Sequence, residues 1–235
     1  MRKLLIILFL INSIYNYAQE SSSIGFTIGT AFPQGEFFKE SSNLYGVARM
    51  GTSFEAFYKL EVSKLFTLVA SSRFTKNNID NKVFARNLEL NQLNRNITSV
   101  FSDPWRTYSL LVGPQLNHLW KESRVLLSLR GMFGYTYAES PEMIIAYSRN
   151  SSNLRSERKT EGSHSMGYLI GLGTNYLLNQ RASIAFAVNY FTTKAKFDEI
   201  KFIDSPQLGS TVMNTESLEQ TISILATEIG LAYKF

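Results

Sequence analysis

Residues 225–235 read Leu-Ala-Thr-Glu-Ile-Gly-Leu-Ala-Tyr-Lys-Phe. Successive side chains of an extended chain point to opposite sides. Leu225, Ile229, Leu231, Tyr233 and Phe235 therefore share one face, and Ala226, Glu228, Gly230, Ala232 and Lys234 the other. One side is greasy and ends in aromatics, while the other is small or charged. A soluble barrel or sandwich reverses this, filling its inside with bulky apolar groups and keeping charge outside. The stretch reads instead as a strand whose apolar face meets hydrocarbon.

Working back from it, seven more segments of about ten residues show the same alternation, the signature of a transmembrane barrel. The first, residues 23–31, sets Ile24, Phe26 and Ile28 against Gly25, Thr27 and Gly29. The second, about 45–58, sets Ala48, Met50, Phe54, Ala56 and Tyr58 against Arg49, Gly51, Ser53 and Glu55. The third places Phe66, Leu68, Ala70 and Phe74 opposite Thr67, Ser71 and Arg73. The fourth, near 107–120, places Tyr108, Leu110, Val112, Leu116 and Trp120 opposite Ser109, Gly113, Gln115 and Asn117. Then come Leu127, Leu129, Phe133 and Tyr135 against Ser128, Arg130 and Gly134, and Tyr168, Ile170 and Leu172 against Gly167, Gly171 and Gly173. Ile184, Phe186, Val188 and Tyr190 against Ser183, Ala185, Ala187 and Asn189 complete the set. Pro114 lacks a ladder donor, so a bulge or local break is expected there.

The connections alternate in length. Short polar turns fall near 59–64, 121–124 and 178–181, and long polar stretches at 32–43, 76–103, 139–165 and 192–220. Short turns on one side and long loops on the other match an outer-membrane barrel with both termini in the periplasm. The expected fold is thus all-β, an antiparallel up-and-down transmembrane β-barrel of eight strands. Ten is the alternative, if Met143–Tyr147 and Lys196–Ile203 add strands. Leu93, Ile97 and Val100 have helical spacing and suggest a short helix in the second long loop.

The N-terminus reads as an address. Arg2 and Lys3 precede the apolar stretch 4–11, and Ala18 suits cleavage, so residues 1–18 are expected to be a secretory signal and 19–235 the barrel domain. The apolar stretch falls short of the roughly 20 residues that span a bilayer. Without Arg2 and Lys3, the 24 basic residues fall to 22 against 19 acidic ones, which removes the main argument for nucleic-acid binding.

Arginine or lysine facing lipid at the bilayer centre would cost about 2–4 kcal/mol. Arg49, Glu55, Arg73, Arg130, Glu228 and Lys234 are therefore expected to form a charge network inside the barrel. An eight-stranded interior is just wide enough for side chains to fill, so a plugged lumen is expected rather than a pore. The 235 residues hold no cysteine and only two histidines, His118 and His164, which excludes disulfide frameworks and zinc sites of ordinary type. No catalytic, cofactor or metal site is expected. His164-Ser165, with Glu161 nearby, is the one place where a lipid A-modifying enzyme could be imagined. Arg149, Arg155, Arg158 and Lys159 form a basic cluster that suits lipopolysaccharide phosphates, although four acids share their loop.

The last eight residues resemble the assembly signal of outer-membrane barrels, with Glu228, Gly230, Tyr233 and Phe235 at its spacing. That resemblance implies recognition by the barrel-assembly machinery. The Tyr-Ala-Gln at 17–19, the Ala-Phe-Pro-Gln-Gly-Glu-Phe at 31–37 and the Leu-Leu-Val-Gly-Pro at 110–114 resemble the porin-like barrel proteins of Bacteroidetes. The resemblance implies a bacterial outer-membrane location, with lipid and lipopolysaccharide as surroundings, and brings no catalytic residues. The expected role of this monomer is structural or loop-mediated binding. The alternatives are a narrow porin or a secretion-system component.

Overall fold

The computed structural model describes residues 22–39, 47–91, 96–119, 124–149, 152–206 and 212–235. The expected signal at 1–18 lies outside the described residues, as do Tyr45, Leu93 and Trp120.

Eight strands close a ring. They are β1 (Ser22–Gln34), β2 (Ala48–Glu61), β3 (Phe66–Ile79), β5 (Trp105–Leu119), β6 (Val125–Glu139), β9 (Gly162–Leu177), β10 (Ala182–Pro206) and β11 (Val212–Lys234). Each pairs antiparallel with the next, and β11 pairs with both β10 and β1, so none of the eight is an edge along its paired length. The ladder runs from Ala232 through Gly25, Phe57, Ser71, Leu111, Gly134, Gly167 and Thr193 back to Ile222 of the same strand. That return ten residues along β11, from 232 to 222, is the stagger of a closed barrel whose strands tilt by about 35–45°.

The apolar rows face outward. Ile24, Phe26, Ile28, Leu110, Phe133, Tyr168, Ile170, Leu172 and Leu231 are all exposed, Leu172 by 64%. Whole rows of large apolar side chains left open on an outer wall would aggregate in water, whereas hydrocarbon solvates them. The chain is a transmembrane barrel.

Two differences from the sequence reading stand out. First, the stretches 143–147 and 196–203 add no strands to the ring. Lys196–Ile203 continues β10, and β7 (Met143–Arg149) joins β4 (Asn96–Ser102) and β8 (Ser152–Arg158) in a small sheet hydrogen-bonded to the far end of β10. Second, the helix of the second long connection is α1 (Asn81–Asn91), upstream of the expected Leu93–Ile97–Val100, and the last two lie in β4. Asp80 caps α1, accepting from the backbone N–H groups of Lys82 at 3.1 Å and Val83 at 3.0 Å. Phe84 and Leu88, four residues apart on one helix face, pack with Val47, Met143, Ile145 and Tyr147. At Pro114 the expected local break is present, without a bulge. β5 keeps its register on both sides, and only the rungs at Gly113 and Pro114 toward β6 are missing, opposite Gly131 and Met132.

Candidate functional site: the plugged lumen and its mouth

Alternation brings residues of six strands to one level inside the barrel. Arg130 of β6 donates Nη1 and Nη2 to the two oxygens of Glu55 on β2, at 2.9 and 2.6 Å. Arg73 of β3 reaches the same carboxylate at 3.4 Å and Oε1 of Glu228 on β11 at 2.7 Å. Glu228 also accepts from Ser53 at 2.5 Å, Thr27 at 3.2 Å and Asn189 at 2.9 Å, and the Asn189 carbonyl oxygen accepts from Arg130. Two cations and two anions cancel. Every carboxylate oxygen has a partner, the condition under which buried ions are tolerated. Gly171 makes room for the cluster, because a Cβ there would lie 2.1 Å from the Asn189 oxygen.

Of the six charges assigned to this network, four meet and two do not. The irregularity in β2 between Ala48 and Gly51 breaks the alternation that placed Arg49 on the inner face. Arg49 sits at the mouth, bonded to Asp80 at 3.1 Å and over the Phe38 ring. Lys234 lies at the opposite rim, paired with Glu61 at 2.8 Å.

The lumen is also greasier than a reading of small and charged residues allows. Phe57, Val69, Leu111, Met132, Leu169 and Phe191 are buried around the charge cluster. Toward the termini lie Gln115, Asn117 and Thr67, joined by two bonds of 2.7 Å, beside a cavity of about 20 Å³, room for about one water. Toward the long connections the mouth is closed by Phe37, Trp105, Phe197, Ile200, Ile222 and Ile224. Trp105 lies between Phe37, which it meets edge to face, and Phe197, to which it is tilted, each centroid 5.8 Å away. Phe37 arrives on a short 3-10 turn, Gly35–Phe37, whose Gly35 has φ +57. The pattern of inward positions held this apolar filling, but alternation gives a residue's face and not its neighbours.

The His164-Ser165 pair is split by the strand. His164 points outward, stacked on Tyr135 and bonded to its hydroxyl. Ser165 bonds to Thr193, 2.7 Å away. No group of three or more metal-ligating side chains occurs among the described residues.

The basic cluster of the third long connection is likewise dispersed. Arg158 is buried, 1% exposed, and so is closed to a lipid headgroup. Arg155 pairs with Glu157 at 2.6 Å, and Lys159 with Glu142 at 2.8 Å and Glu157 at 3.3 Å. Arg149 ends β7, and its side chain lies outside the described part. At the chain end, Gly230 presses on the Phe26 carbonyl, where a Cβ would sit at 1.8 Å, while Tyr233 and Phe235 face outward.

No protein-family model and no curated protein matches the chain. Solved structures do. A major outer membrane protein from Thermus thermophilus aligns over 92% of this chain and 100% of its own, with 10% identity and a TM-score of 0.50. Neisserial surface protein A aligns over 91% and 97%, at 10% identity and TM-score 0.49. Ail, the attachment invasion locus protein of Yersinia pestis, aligns over 92% and 97%, at 15% identity and TM-score 0.42. At these identities the likeness concerns the fold. The first of the three agrees with the barrel described above.

Proposed function

We propose that this chain is a non-conducting, non-enzymatic barrel of the bacterial outer membrane that presents a folded cap for binding at the cell surface. The observation that carries it is the closure of the lumen at three levels: the polar layer near the termini, the Arg73–Glu55–Arg130–Glu228 cluster, and the Trp105–Phe197 layer at the mouth. A conducting pore needs a continuous polar path, and the apolar mouth layer interrupts it. The long connections build structure instead: α1 and the β4–β7–β8 sheet enclose an apolar cluster of their own. A segment that folds this way costs less to order on binding than a floppy loop.

The alternating outer wall, the terminal Glu228–Gly230–Tyr233–Phe235 spacing and the asymmetry of short and long connections support the membrane and the orientation. On this reading the assembly machinery reads that terminus, the monomer sits among outer-membrane lipids, and the residues resembling porin-like Bacteroidetes proteins belong to such a barrel. The test has two parts. The chain should fractionate with the outer membrane and shift on a gel only after boiling. In planar bilayers it should give no current steps, and steady single-channel conductance would end the plugged reading.

A further inference from the structure

The outer wall is not uniformly bulky. On β2 and β3 the outward residues Ala56, Ala70 and Ser72 are small and sit side by side between Ile24, Tyr58, Leu110 and Val112. They leave a groove of about 490 Å³, in the size range of pockets that hold small ligands. Four residues above Ser72 on the same face of β3 is Lys76, directly across from Arg106 of β5. Like charges directly opposite in a ladder repel. Lys76 makes no ion pair among the described residues, and Arg106 reaches Asp103 and Glu139 only at 3.7 and 3.5 Å. Between the cations and the groove lies an aromatic shelf, Phe74 against Tyr108, with centroids 5.0 Å apart. Cations, shelf and groove thus follow one another down two neighbouring strands over about 20 Å, at about 3.3 Å per residue.

We infer that this track is a binding site for one phosphorylated glycolipid of the outer leaflet, lipid A. Lys76 and Arg106 take a phosphate, Phe74 and Tyr108 face the sugar, and an acyl chain lies in the Ala56–Ala70–Ser72 groove. A phosphate between two cations converts their repulsion into charge-assisted hydrogen bonds. The cations stand at the end of the barrel with the long connections, so the leaflet follows from the orientation proposed above, and the inference rests on that reading. Asp103 and Glu139, which reach Arg106 from its other side, must yield that cation to the phosphate, while Lys76 meets it directly.

The experiment uses the full folded chain in detergent and native mass spectrometry with added lipid A, the same lipid A dephosphorylated, and phosphatidylglycerol. One lipid A should be retained per barrel. K76Q/R106Q and, separately, A70F should each lower retention about tenfold or more, the scale of losing one charge-assisted contact. The dephosphorylated lipid should bind the native chain as poorly as lipid A binds the double variant. K194Q/K196Q, whose lysines already pair with Glu219 and Asp198, should leave retention unchanged. Equal retention by K76Q/R106Q and the native chain overturns the inference. So do an equal loss in K194Q/K196Q, which indicates diffuse rim attraction, and equal retention of phosphatidylglycerol. The heat shift of each variant reports its folding. A chain that fractionates outside the outer membrane refutes the placement, whereas one that resides there without preferring lipid A refutes only this site.

Discussion

Arg130 is buried and held by both oxygens of Glu55 and by Asn189. Its removal leaves Glu55 and Glu228 sharing the single cation Arg73. Breaking one partner of a buried ion pair costs about 3–5 kcal/mol, because the remaining charge stays buried and uncompensated. Arg130→Met is expected to destabilise the barrel by that amount in denaturant titrations of the folded chain in lipid vesicles, and Arg130→Met with Glu55→Leu by much less. Equal losses in the two variants would show that packing, and not charge, sets the cost. The four meeting charges were legible in the sequence because lipid excludes them from the other face. Lys234 shares that face, yet alternation says nothing of height, and Arg49 leaves the alternation at the irregularity in β2; both fall at rims, where Glu61 and Asp80 pair with them. Phe57, Leu111, Met132 and Phe191 were missed for a related reason. The inward row was read by its small and charged members, although an eight-stranded interior has space that only bulky side chains fill.

At the scale of elements, the long alternating strands were the easiest part to see, and their ends the hardest. β10 and β11 run on past the expected end of their alternation, pairing as far as Asp204 with Val212, through a shift between Phe197 and Ile200. That shift is where a periodic reading loses the strand. For α1 a usable signal existed: Asp80 at the cap, followed by Phe84 and Leu88 at helical spacing. Asp80→Ala removes the side-chain acceptor for two backbone N–H groups and should cost about 0.5–2 kcal/mol locally. Amide exchange in α1 should speed up while exchange in the barrel strands is unaltered. Acid should act on the same bond. The Val83 backbone N–H, and next the Arg49 guanidinium, hold the Asp80 carboxyl below its ordinary value. Its contribution is then fully present above the unfolded carboxylate value of about 3.9, and is lost as pH falls through the lower folded one. In the native chain α1 protection should decline only in that acid range, and in Asp80→Asn the decline should be absent.

The whole molecule separates into a barrel that needs the membrane and a cap that does not. Their attachment is narrow: β8 pairs with β10 over Phe202–Pro206, and the cap's apolar cluster meets the barrel at Val47, just before β2, and at Ile79, where β3 ends. The ring is complete without β4, β7 and β8, since every one of its eight strands already has two barrel neighbours. The plug is also independent, because Glu55, Arg73, Arg130 and Glu228 contact no cap residue in any bond they make. Replacing residues 81–102 and 143–158 by short turns should therefore leave a chain that still folds, still shifts on heating and still passes no current. The removed backbone takes from the ring only the ladder of β8 with the far end of β10, and surface loops tolerate changes that cost the scaffold little backbone bonding. Binding at the cell surface, in contrast, should vanish with the cap, while lipid A retention through Lys76 and Arg106 should persist. Current in the capless chain would place the seal in the long connections, and the cluster at mid-barrel would then have to be porous. A capless chain that fails to assemble would mean that β10 needs β8 to hold its long outer half.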